Sequence, residues 1–216
     1  MGMDNQNRRY IVNGPKTEQH ILLLAHGAGA PMDSSWMNDL CEKLTQQNIQ
    51  TARFEFPYMQ NRRADGKKRP PDRAPVLLET WEAVIEELGR ENLIIGGKSM
   101  GGQIASMAAA ERDANGSPVA GCIILGYPFH APGKPATVRA EHLAGLKTSS
   151  LILQGSRDPF GTRDKIAGYA LSDAIKVHYL EDGEHSFIPR KASGRTQDEN
   201  WEEAIAEMVG FISSIE

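Results

Sequence analysis

The chain has 216 residues, 40% apolar and 24% charged, the balance of an ordinary globular protein long enough to build one substantial core. A net charge of −4 is too mild to imply a nucleic-acid or membrane partner. Two cysteines cannot make a disulfide framework. Cys41 and Cys122 both lie among apolar neighbours, as small buried side chains do. Residues 1–9 are polar and carry no apolar secretory stretch, and the run Val119–Leu125 is far too short to span a bilayer. The expected location is cytoplasmic.

Short apolar runs alternate with amphipathic segments, the pattern of a mostly parallel sheet of about six or seven strands with helices on both faces. The expected strands are Arg9–Val12, Ile21–Ala25, Thr51–Phe56, Asn92–Ile95, Val119–Leu125, Ser150–Gln154 and Lys176–Leu180. Several are unbroken Ile/Leu/Val runs, as expected of strands covered on both faces. Between them, Ser34 or Ser35 can start a helix that runs to about Gln47. Pro75–Leu88 sets Leu77, Trp81, Val84, Ile85 and Leu88 on one face, with Gly89 as its stop. The Gly-, Ala- and Ser-rich stretch Met100–Arg112 suits a helix pressed closely on a sheet, and Gln197–Ser214 closes the chain. No repeat or linker divides it, so one domain over 1–216 is expected, with residues 1–8 flexible. Met59–Arg73 carries a net +4 against −8 for the rest, and Gly66, Pro70 and Pro71 argue for a loop there.

Gly97-Lys-Ser99-Met-Gly101 matches G-x-S-x-G. The match alone is weak, but it follows the run Leu93-Ile-Ile95 and opens the small-residue helix. That is the strand–turn–helix setting in which a serine is held on a strained turn. Serine is a poor nucleophile at neutral pH, so it needs a base, and the base needs an orienting acid. The acid follows from position: the run Ser150–Gln154 ends in Gly155-Ser-Arg-Asp158, just past the carboxyl end of a strand, where open α/β sheets place their sites. A turn-capping aspartate beside Pro159 is the plain alternative. Asp164 reads as a helix N-cap and Asp182 as part of a turn. Among six histidines only His185 lies in the loop after the last strand and before the final helix. Leu22-Leu-Leu-Ala-His26-Gly-Ala28-Gly-Ala30 is a strand followed by His-Gly and small residues. An acyl-transfer site needs fixed N–H donors for its oxyanion, and the backbone groups of Ala28 and Met100 are the expected pair.

These residues together resemble the α/β-hydrolase superfamily, and within it the small capless branch grouped with a testis-expressed mammalian protein and the third subunit of the NSL histone-acetyltransferase complex. The resembling stretches are Ala25–Gly29, Arg53–Tyr58, Gly97–Gly102, Gly126–Pro128 with Pro132–Pro135, Leu153–Gly161 and Gly183–Phe187. The resemblance implies a three-layer α/β fold and the triad Ser99, Asp158 and His185. Phe129 to Arg139 is too short for the cap that many esterases and lipases insert there. An open site of this kind implies a small acyl substrate rather than long-chain lipid.

The expected activity is a serine hydrolase, acting on carboxylic esters or thioesters with no metal or organic cofactor. Its alternative is a catalytically silent interaction module on the same fold. Arg62, Arg63, Arg69 and Arg73 are candidate contacts for an anionic substrate, because guanidinium groups grip carboxylate or phosphate through two donors. A solvated loop, or a docking strip for an acidic partner, is the alternative for that segment.

Overall fold

The computed structural model describes residues 9–16, 20–88, 92–131 and 138–215. Gly89 and the Pro132–Pro135 stretch singled out above lie outside the described residues.

Among the described residues, seven strands form one sheet: β1 (Tyr10–Asn13), β2 (Ile21–Ala25), β3 (Gln50–Phe54), β4 (Leu93–Lys98), β5 (Gly121–Leu125), β6 (Ser150–Gly155) and β7 (Ile175–Leu180). Their order is β1-β3-β2-β4-β5-β6-β7. Only β1 is antiparallel to its neighbour; the remaining pairs are parallel. The helices are α1 (Ser35–Gln46), α2 (Pro57–Asp65), α3 (Ala74–Leu88), α4 (Met100–Ala114), α5 (Arg163–Ile166) and α6 (Gln197–Ser214).

Alternation along each strand divides the core in two. Ile21, Leu23 and Ala25 of β2 face a cluster that holds Leu77, Trp81 and Ile85 of α3 and Ile104, Ala105 and Ala108 of α4. Leu22 and Leu24 face the opposite cluster, built from Met37, Leu40 and Leu44 of α1 and Trp201, Ile205 and Met208 of α6. Helices therefore cover both faces, the three-layer arrangement expected from the sequence. Cys41 and Cys122 are free thiols buried in these clusters. Between β5 and β6 the described residues hold one short 3₁₀ turn, Glu141–Gly145, and no inserted domain. Among the described residues, no helix is long and apolar enough to cross a membrane.

Two local expectations are corrected. Met59–Arg73 is not a loop throughout, because its first half belongs to α2. Pro57 supplies a favourable first helical residue, Tyr58 and Met59 are buried, and Gly66 closes the helix in the left-handed conformation. Asp164 is not an N-cap: Thr162 occupies that position, and Asp164 lies in the first turn of α5.

The strand β4 runs on through Gly96 and Gly97 because both pair with flanking strands. The helix that follows, α4, can lie against β2 only where side chains are missing. A Cβ on Gly101 would fall 2.5 Å from the Ala25 carbonyl oxygen and 2.6 Å from that of His26. Gly210, by contrast, has nothing within 4 Å of its would-be Cβ. Gly101→Ala is therefore expected to destabilise by about 1–3 kcal/mol through overpacking. Gly210→Ala, inside the exposed face of α6, should stabilise by roughly 0.5–1 kcal/mol. Urea unfolding midpoints at constant slope measure both, and equal shifts of one sign would contradict the packing account.

Candidate active site

Ser99 stands between the last residue of β4 and the first of α4, with φ 53° and ψ −118°. A non-glycine residue is strained in that region. Its N–H donates to the Leu125 carbonyl at 2.9 Å, tying the turn to the neighbouring strand. The tight turn leaves the Ser99 side chain projecting from the carboxyl edge of the sheet.

Two other loops on that edge complete a line of hydrogen bonds. His185 Nε2 lies 2.8 Å from Ser99 Oγ, and His185 Nδ1 lies 2.7 Å from Asp158 Oδ2. The carboxylate can only accept, so Nδ1 carries the proton and Nε2 is free to accept from the serine hydroxyl. Asp158 is fully buried. Its two oxygens also accept from the Phe160 N–H at 2.8 Å and from Gln154 Nε2 at 3.0 Å, which fixes the carboxylate plane. The Phe160 ring packs on the imidazole, centroids 4.4 Å apart.

Asp182, the other aspartate near His185, is committed elsewhere. Arg190 holds it through backbone N–H and guanidinium at 2.5–3.2 Å, and Arg157 lies 2.9 Å away. The Arg190 contacts, with help from Arg157, pull its carboxyl down to about 2.

The Ala28 and Met100 N–H groups are not taken up by the turn and loop hydrogen bonds of the described residues. Met100 is the first residue of α4, where backbone N–H groups have no partner within the helix and the helix dipole favours negative charge. The loop that carries Ala28 is braced from two sides. Tyr58 Oη donates to the Ala28 carbonyl at 3.0 Å. His26 is fully buried, donates from Nδ1 to the Gly27 carbonyl at 2.8 Å and accepts the Phe56 N–H on Nε2 at 3.2 Å. Burial lowers its pKa and keeps it neutral, so His26 serves the loop as a brace.

The four arginines of the basic segment do not converge. Arg63 forms a two-pronged bond with Asp33 at 2.8 and 3.0 Å and also reaches buried Glu55. Arg69 folds back on Asp65, four residues earlier at the end of α2. Arg73 is exposed, and its carbonyl starts α3. Arg62 and Lys68 remain beside a surface hollow of about 280 Å³, lined also by Pro31, Met59, Arg63 and Gly66.

Two residues beside the Asp158–His185–Ser99 line escaped the sequence reading. Gln154 ends the apolar run of β6 fully buried; besides Asp158 it bonds to both backbone groups of Tyr127 and to the Gly161 carbonyl. A polar residue inside a buried strand was the available signal. Lys98 is also buried, and its Nζ donates to the His185 carbonyl at 2.6 Å. Burial pushes its ammonium down to about 8, opposed by the charges of Asp158 and Glu184.

The chain is structurally similar to Est1E from Butyrivibrio proteoclasticus with ferulic acid bound, at 15% identity, a TM-score of 0.69 and 95% coverage of each chain. It is also similar to a dienelactone hydrolase from Anabaena variabilis, at 18% identity, 0.69, and 95% of this chain against 91% of that one. A monoacylglycerol lipase from Paleococcus ferrophilus is similar at 14% identity and 0.68, covering 94% and 98%. A search of curated proteins found no match. The family model for the alpha/beta hydrolase domain matches residues 18–213, and the chain belongs to that family.

Proposed function

We propose that the protein is a serine hydrolase that cleaves small carboxylic esters or thioesters through an acyl-enzyme on Ser99. The observation that carries this reading is the unbroken Asp158–His185–Ser99 line, with bonds of 2.7 and 2.8 Å ending on a strained serine at a helix N-terminus. In this reading Ser99 Oγ attacks the acyl carbon while its proton passes to His185 Nε2. The Ala28 and Met100 N–H groups hold the resulting oxyanion, each worth roughly 3–4 kcal/mol in such sites. The carbonyl re-forms as the C–O or C–S bond breaks, and His185 gives its proton to the leaving group. Water then attacks the acyl-enzyme, passing one proton to His185 and from there back to Ser99. The resemblance to a capless branch supports short or exposed acyl groups, and the names of the structural neighbours lean towards ester substrates. The silent-module alternative would leave the strained serine and its aligned imidazole without a use.

A fluorophosphonate probe should label Ser99 and no other residue, and Ser99→Ala should abolish both labelling and hydrolysis of short esters and thioesters without unfolding the protein. A folded protein that takes no label would overturn the enzyme reading.

Asp158→Asn is expected to lower kcat by about 10³- to 10⁴-fold with little change in KM, whereas Asp182→Asn should lower kcat far less. Its effect belongs to stability. Because its folded carboxyl titrates at about 2 rather than 3.8, the stabilisation it gives is complete above about pH 4 and lost as pH falls towards 2. Asp182→Asn should therefore weaken the fold at neutral pH and flatten that acid limb, as followed by denaturant titration from pH 2 to 7.

The hollow beside Pro31 gives the basic segment one place to act on a substrate, through Arg62 and Lys68. An ester with a carboxylate should then react with a higher kcat/KM than its neutral isostere at low salt. Added salt should shrink the preference, since exposed charges are screened over about 10 Å at 0.1 M. Arg62→Gln with Lys68→Gln should reduce it; equal rates for both esters at low salt would remove this role.

A further inference from the structure

The loop that carries His185 lies outside the strands and helices; turn hydrogen bonds such as Glu184 N–H to the Ile188 carbonyl and Phe187 N–H to the Glu184 carbonyl fold it on itself, and contacts from other elements fix it to the sheet. Two of its residues, Asp182 and Phe187, have positive φ, a conformation that non-glycine residues keep only where neighbours over-determine it. Three successive carbonyls of this loop are each taken by a side chain from a different element. The His185 carbonyl accepts from Lys98 Nζ of β4 at 2.6 Å. The Ser186 carbonyl accepts from Trp36 Nε1 of α1 at 3.4 Å. The Phe187 carbonyl accepts from Asn200 Nδ2 of α6 at 2.7 Å.

Lys98 is the charged member of this set, and it directly precedes Ser99. Its Nζ also lies 5.3 Å from the Trp36 ring centroid and 5.7 Å from that of Phe187. Gly126 completes the enclosure. A Cβ there would stand 3.0 Å from Lys98 Nζ, 3.1 Å from the His185 carbonyl oxygen and 3.3 Å from His185 Cε1. Burying an ammonium among aromatic rings costs free energy that a methionine of similar length would not incur. That cost is offset by the hydrogen bond to the His185 carbonyl and by the two ring faces.

We propose that Lys98 is a positioning residue, whose ammonium fastens the His185 backbone and so sets the distance from the imidazole to Ser99 Oγ. This rests on the reading of Ser99, His185 and Asp158 as a hydrolytic triad. The strand that fixes the nucleophile thereby fixes the base as well. The imidazole is held at its two nitrogens by Asp158 and Ser99, and its main chain is held from below by Lys98. The charged or titratable groups around the ammonium are Asp158 in the loop after β6, and Glu184 and His185 in the loop after β7. The ammonium is thus closer in chemistry to a latch between two loops than to a solvated surface charge.

The test compares the parent protein with Lys98→Met, which keeps length and loses the donor, and Lys98→Gln, which keeps an N–H donor without charge. Steady-state kinetics on a short ester, thermal unfolding and the proton resonance of His185 Nδ1–H are measured on all three. Lys98→Met is expected to fold with a modestly lower Tm, because the His185 carbonyl loses its donor, to lose 10- to 100-fold in kcat with KM within twofold, and to broaden the Nδ1–H resonance. Lys98→Gln should recover part of kcat and sharpen that signal again. Lys98→Met with parental kcat and a parental Nδ1–H resonance would overturn the proposal. So would a loss of kcat that merely follows a fall in Tm in both variants. If the parent itself neither turns over nor takes a fluorophosphonate, the hydrolase reading fails, and the resonance comparison still decides whether Lys98 positions His185.

Discussion

The backbone at Ser99 is the constraint around which the rest of the site is arranged. A serine at φ 53° and ψ −118° costs on the order of 1–3 kcal/mol, and it persists because strand and helix are pinned on either side of it. The Ser99 N–H is bonded to Leu125 of β5, and Gly97 of β4 and Gly101 of α4 both pack on the Ala25 carbonyl that ends β2. That packing has a second result. The residues after β2 pass beside the turn: a Cβ on Gly101 would stand 2.6 Å from the His26 carbonyl oxygen, and one on Gly27 would stand 3.9 Å from the Ser99 Cβ. One tight turn therefore holds Ser99 at the edge of the sheet and packs the loop after β2 against it.

Buried carboxylates show how the same residue type is given different work. Asp158 and Asp182 both lie at the carboxyl edge of the sheet and both are shielded from water. Asp182 is held by two guanidinium groups, so its charge serves the fold. Among the described residues, no lysine or arginine contacts Asp158 directly. Its donors are an amide N–H, a glutamine side chain and the His185 imidazole. A charge solvated by neutral donors alone favours a proton arriving on the neighbouring imidazole, which is what a general base requires.

Much of this was legible in the sequence because it depends on local order. The strand Leu93–Ile95 running into Gly97-Lys-Ser-Met-Gly101, and Asp158 and His185 each following a strand, are one-dimensional facts. The parallel sheet converts them into proximity, since every carboxyl end meets at one edge. What escaped depends on partners distant in sequence. The charge of Met59–Arg73 looked free because Asp33, which binds Arg63, is 30 residues away. The helix there was hidden by Pro70, Pro71 and Gly66, although Pro57 and Gly66 bracket it in the positions where those residues favour a helix. Lys98 read as the variable residue of a motif, and no spacing rule links it to a carbonyl 87 residues later.

The escaped residues share a physical purpose. With no inserted domain over the site among the described residues, nothing from above presses the loops into place, so they must be held from within the sheet. Arg53, buried on β3, donates to the Met32 carbonyl at 2.8 Å and to the Asn38 and Asn13 side chains, anchoring the end of the loop that carries Ala28. Gln154, on β6, grips the Tyr127 backbone and the Asp158 carboxylate together. Lys98, on β4, holds the His185 carbonyl. Each is a polar side chain buried at or near the end of a strand, and each ends on groups of a loop above it. Packing alone fixes the depth of such loops only weakly, because carbonyls that face a core without a donor are costly to bury. Strand-borne donors remove that cost and define loop height to within a hydrogen bond. With no inserted domain among the described residues, the loops that carry Ser99, Asp158 and His185 can in this way stay open to solvent and still be held in register.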